Sequence, residues 1–127
     1  MALIVGIAPC LFAKTDESQG LDYFETHIRP LLATHCYECH SSESKKLKAN
    51  LHLDSREGWQ SGGDSGPVIV PGKPDESLLI EAISHQNNDL QMPPETRLPE
   101  SEINKLRTWI TMGAPDPRDG VVRKSHS

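Results

Sequence analysis

Apolar positions crowd the start of the chain and then recur at helical spacing, separated by long polar stretches. Residues 1–13 (MALIVGIAPCLFA) hold 11 apolar side chains and no charge. That is short of the about 20 apolar residues a membrane-spanning helix needs, but it suits the apolar region of a secretory leader. We therefore expect a signal or leader segment over 1–13, with the small Ala13 as a cleavage point, and a polar linker over 14–20. From Leu21 the pattern turns periodic. Leu21, Phe24, Ile28 and Leu31 follow at spacings of 3, 4 and 3, which predicts one helical face. Pro30 removes a backbone donor inside that stretch, so the helix should kink or split in two. Residues 41–66 read as loop, with Leu51 and Leu53 alternating as a short strand. Val68 to Val70, between Pro67 and Pro71, could pair with it. Pro74, with Asp75 and Glu76 behind it, opens a helix carrying Leu78, Leu79, Ala82 and Ile83. A last helix starts at Pro99 with Glu100 and Glu102 in its first turn. It buries Ile103, Leu106, Trp109 and Ile110, and stops at Gly113 ahead of Pro115 and Pro117. The expected fold is mostly α, with long loops and at most one short two-stranded β pair. It forms one domain over 21–117, followed by a flexible tail over 118–127.

Composition adds a difficulty. Of 127 residues 35% are apolar, and outside the leader the count is 34 in 114. A core that thin usually needs a disulfide, a metal or a cofactor to hold it. Net charge is −5, and no basic cluster exceeds Lys45, Lys46 and Lys48, so nucleic acid is not an expected partner. Any membrane attachment would run through the N-terminal segment alone. No paired carboxylates, Ser/His/Asp set or phosphate loop points to catalysis by this chain, so we do not expect an enzyme.

The chemistry concentrates at Cys36-Tyr37-Glu38-Cys39-His40. Past the leader these are the only cysteines, so no thiol is left for a disulfide elsewhere. C-x-x-C-H is the attachment signal of a c-type haem. The two thiols add to the two porphyrin vinyl groups, and one helical turn sets both sulfurs at the ring edge. The adjacent His40 is then carried beneath the iron. Attachment of this kind is typical of exported compartments, which agrees with the leader and suggests a periplasmic or cell-envelope location. Competing readings are a zinc site using His35 with the motif, a redox dithiol, and coincidence. Zinc suffers because four ligands within six residues wrap a tetrahedron poorly. A redox dithiol expects a preceding strand and a βαβ setting, and the pattern shows neither.

Iron held by His40 needs a sixth ligand or an open position. Met92, Met112, His27, His35, His52 and His85 are the candidates. Met92 is favoured because it precedes Pro93 and Pro94, which stiffen the loop that would present its sulfur, and because it follows His40 by 52 residues. Met112 on the last helix reads as packing or half-exposed, while His85 and an open iron stay as alternatives. Arg56 and Trp59 are weaker candidates as donors to haem propionates. A solvated Arg and a Trp capping the core explain them equally well.

With those motifs in place, Phe24 to Pro117 resembles the planctomycete-type cytochrome c domain, a variant of the class I cytochrome c fold. The matching pieces are Phe24-Glu25, Arg29-Pro30-Leu31-Leu32, the Cys36–His40 pentapeptide, Gly62-Gly63-Asp64-Ser65-Gly66-Pro67 and Val70-Pro71-Gly72-Lys73-Pro74. Further on come Ser77-Leu78-Leu79-Ile80, Met92-Pro93-Pro94 and Leu106-Arg107-Thr108-Trp109-Ile110 with Gly113-Ala114. The resemblance implies a cytochrome c-like helical fold around one covalent haem c at Cys36 and Cys39. It implies His40 and Met92 as axial iron ligands, and a crossing of the first and last helices near Phe24 and Trp109. The function it suggests is a single-electron carrier that meets redox protein partners. The alternative is a haem-bearing module of a larger exported enzyme, since such domains usually head longer proteins.

Overall fold

The computed structural model of the chain describes residues 16–44 and 47–118; the expected leader and nearly all of the expected tail lie outside them. Helix α1, Asp16–Tyr23, runs directly into a π-helical turn, Phe24–Ile28, and then into α2, Arg29–His35. The backbone N–H of Arg29 reaches back five residues to the Phe24 carbonyl. The wide turn sits just before Pro30, which has no N–H to give and whose ring crowds the turn behind it. The expected break is therefore a bulge within one rod. It keeps Phe24, Ile28, Leu31 and Leu32 facing inward, all at most 6% exposed. The linker expected over 14–20 is corrected, because α1 already covers Asp16 to Gly20 and Gly20 is buried.

After α2 the chain turns through Cys36–His40 and runs to α3, Arg56–Ser61, a helix inside the stretch read as loop. Its N-cap Ser55 accepts from the Gly58 N–H. A 3₁₀ turn, Pro74–Glu76, leads to α4, Leu78–Ser84, and α5 spans Glu100–Thr111. The expected strand pair is absent among the described residues, which show only isolated bridges at Gly63 with Gly66 and Asn87 with Leu90. The backbone groups that would form the ladder are engaged elsewhere. Leu53 donates to His40, Val68 accepts from Leu79, and Val70 donates to the Ser77 hydroxyl. The fold is mostly α, as the residue pattern predicted.

The core gathers where the π turn meets α5. Phe24 and Trp109 are both fully buried with ring centroids 5.7 Å apart, and Trp59 meets Trp109 edge-on at 6.0 Å. Each indole N–H is satisfied by the segment after α5: Trp109 donates to the Pro115 carbonyl and Trp59 to the Asp116 carboxylate. Arg118 closes this knot. Its side chain is 8% exposed, pairs with the fully buried Asp116 at 2.6 Å, and lies 4.8 Å over the Phe24 ring. These contacts reach one residue past the boundary set at 117.

Burial pushes the Asp116 carboxyl up, but bonds from Arg118 and Trp59 outweigh that and hold it below the ordinary Asp value. A carboxylate with a depressed folded pKa stabilises fully above its unfolded value of about 3.9, and that contribution is lost as pH falls toward the folded value. The melting temperature should hold level above about pH 5 and drop below about pH 4. Asp116→Asn should melt lower at neutral pH and show a shallower drop. An unchanged acid slope in that variant would count against the carboxylate.

Candidate functional site

The pentapeptide is a turn pinned from both sides. Cys36 caps α2, and its N–H and that of Tyr37 both reach the Leu32 carbonyl. The N–H groups of Cys39 and His40 return to the Cys36 carbonyl at 3.2 and 2.9 Å. The next segment then clamps the turn: Lys48 donates to the Cys39 carbonyl at 3.0 Å and Leu53 to the His40 carbonyl at 2.7 Å. Both thiols are reduced and unbridged. Burial, with Cys39 nearby, pushes the Cys36 thiol up to about 12. That is the opposite of the lowered value a redox dithiol uses to form its attacking thiolate.

His40 is 8% exposed, and its Nδ1 is buried without a hydrogen-bond partner. Burial holds the imidazole below its ordinary value, although backbone groups of Leu51 and Lys48 favour the protonated ring from nearby. The ring is therefore kept neutral, the form that ligates metals.

Cys36, Cys39 and His40 open onto a cavity of about 820 Å³, counting the part that joins solvent. Its other walls are Leu51, Leu53 and Val68, the face of α4 formed by Leu78, Leu79, Ala82 and Ile83, and the loop Leu90, Met92, Pro93 and Pro94. Carbon dominates this lining. The Met92 N–H donates to the Ala82 carbonyl at 3.0 Å, tying the loop to α4. A haem fits these residues: apolar walls suit the porphyrin, two reduced thiols suit thioether bonds, and the one cavity offers both a neutral imidazole and a thioether sulfur.

The remaining candidates are engaged elsewhere. His85 caps α4 in the left-handed region and its Nε2 meets the Pro93 carbonyl at 3.0 Å. His27 meets the Tyr23 ring at a tilt of 53° with centroids 4.7 Å apart, and His52 lies 3.9 Å from Asp54. Met112 is 43% exposed on the far end of α5. His35 does line the cavity, but its Nε2 is 3.1 Å from Glu102. Among the described residues no three His, Cys, Asp or Glu side chains gather where they could hold a metal ion on their own. The two propionate candidates sit away from the cavity. Trp59 has one N–H and gives it to Asp116, Arg56 donates to the Asp116 carbonyl, and neither residue lines the cavity. The sequence reading missed Leu51, Leu53 and Val68 as cavity walls, although their apolar spacing marked them as buried. It also missed Asp116 and Arg118, which no local pattern marks.

The family model described as Planctomycete cytochrome C matches residues 36–96, from the first motif cysteine past Met92. That stretch contains every residue lining the cavity except His35. No curated protein and no solved structure matches the chain. The resemblance read from the motifs is borne out over the matched residues.

Proposed function

We propose, taking residues 36–96 as a planctomycete cytochrome c segment, that this protein is a c-type haem protein that carries single electrons. The observation that carries this reading is the shared cavity: Cys36, Cys39, His40 and Met92 come from two distant parts of the chain and meet one apolar space. Bound there, haem c would supply an Fe(III)/Fe(II) couple. The chain's own contributions are distinct. Cys36 and Cys39 anchor the ring covalently. His40, kept neutral by burial, gives the iron a nitrogen, and the tied loop gives it the Met92 sulfur, a soft ligand that favours the ferrous state. The walls from α4 and from Leu51 to Val68 exclude water from the ring faces. This reading assigns no substrate turnover to the chain, an exported location, and redox proteins as partners. With a net charge of −5, a basic partner is favoured.

The test is covalency. Protein produced alongside a haem-attachment system should be coloured, and extraction with acidified acetone should leave the colour with the polypeptide. Colour passing into the organic phase, or a colourless protein, would overturn the reading.

A further inference from the structure

Arg118 lies beyond the family match and beyond the boundary read from the sequence, yet its guanidinium is engaged on every side. Nε and Nη2 fork onto the two Asp116 oxygens at 2.8 and 2.6 Å. Nη1 donates to the Tyr37 hydroxyl at 3.0 Å and to the Leu53 carbonyl at 2.8 Å. An ion pair needs only the fork. The two extra bonds go to residues one step from His40. Tyr37 sits between the motif cysteines, and Leu53 is the residue whose N–H holds the His40 carbonyl at 2.7 Å while its side chain lines the cavity. One planar cation thus fixes, from behind, both the turn that carries the imidazole and the segment that clamps it. Lysine, a point charge without the fork, could not hold all three partners at once.

We propose that Arg118 is a positioning residue for His40, setting the orientation of its ring toward the iron through Tyr37 and Leu53. The proposal rests on the haem reading above. Partners behind a ligand orient it and tune the metal, so loss of the clamp should alter the iron's environment as well as the melting temperature.

Three haem-loaded variants test it. Arg118→Lys keeps the charge and loses the fork. Asp116→Asn with Arg118→Met removes both charges together, so none is left buried alone, and keeps an oxygen for Trp59. Tyr37→Phe removes one bond. The readouts are the hyperfine-shifted proton resonances of the His40 ring in the oxidised protein and the Fe(III)/Fe(II) ratio at a fixed ambient potential. A loosened turn admits water, which favours the more highly charged ferric state. The Lys variant and the double variant should therefore shift the His40 resonances and raise the ratio at least about threefold, some 28 mV at 59 mV per tenfold for one electron. Tyr37→Phe should move both in the same direction by less. Should the double variant fail to fold, the other two decide. Variants that melt lower while resonances and ratio match the parent would overturn the proposal and leave Arg118 a stability element. A parent protein without covalent haem would instead overturn the haem reading, so the two failures are distinguishable.

Discussion

Cys36→Ala combined with Cys39→Ala, examined free of haem, should abolish the cooperative thermal transition. Several of the residues best placed to form a core, Leu51, Leu53, Val68, Leu79, Ala82 and Ile83, are buried at the cavity margin. With only 34 apolar residues past residue 13, the chain has little else to set against the conformational entropy of folding. On the proposed reading, an anchored haem would fill this cavity and take its iron ligands only in the folded chain, which the haem-free variant cannot do. Its loss should remove most of the about 5–15 kcal/mol typical of a domain. The helix crossing at Phe24 and Trp109 should keep part of the far-ultraviolet helical signal, while near-ultraviolet ellipticity vanishes and dye-binding apolar surface appears. A sharp calorimetric transition in the haem-free double variant would contradict this.

Met92→Ala should leave a folded, coloured protein whose iron is open. Oxidised haem with a nitrogen and a thioether ligand shows a weak sulfur-to-iron band in the far red, and the variant should lose it. It should also bind added imidazole or carbon monoxide, and its reduction potential should fall because the ligand favouring the ferrous state is gone. Met112→Ala is the control. Exposed on α5, it should cost under about 0.5 kcal/mol and keep the band. Retention of the band in Met92→Ala would remove Met92 from the iron, and its loss in Met112→Ala would move the assignment there.

The elements legible in the sequence are those whose burial is local and periodic. α5 shows its inward face in Ile103, Leu106, Trp109 and Ile110 and its end at Gly113, where φ is +104°. α3 was hidden because six residues with only Gly58 and Trp59 buried make no apolar period; the Ser55 cap was its one local sign. Leu51 and Leu53 are buried as their alternation implied. Alternation reports which side chains point inward, however, and not where the backbone bonds go. The pentapeptide was legible because C-x-x-C-H is a fixed pattern, and Met92 because two prolines follow it; the structure brings both to one cavity. Arg118 was not. Its partners Tyr37 and Leu53 are 81 and 65 residues away, and nothing beside it in sequence distinguishes a buried cation from a solvated one.

The loop that carries Met92 is lightly held. It is tied back by the bond from Met92 to Ala82, by His85 to Pro93 and by Arg97 to the Ser84 carbonyl, all to its own neighbourhood on α4. The crossing of the π turn with α5 is instead fully buried and joined across 85 residues. Segments so differently anchored do not open together. Amide hydrogens from Ile103 to Ile110 should exchange only when the whole molecule unfolds, and that of Met92 far sooner, through a local opening that leaves the helices standing. With the proposed ligation, the sulfur would leave and return many times within the life of one folded molecule, and the pace at which small ligands replace it would follow the loop's opening equilibrium and not the stability of the domain.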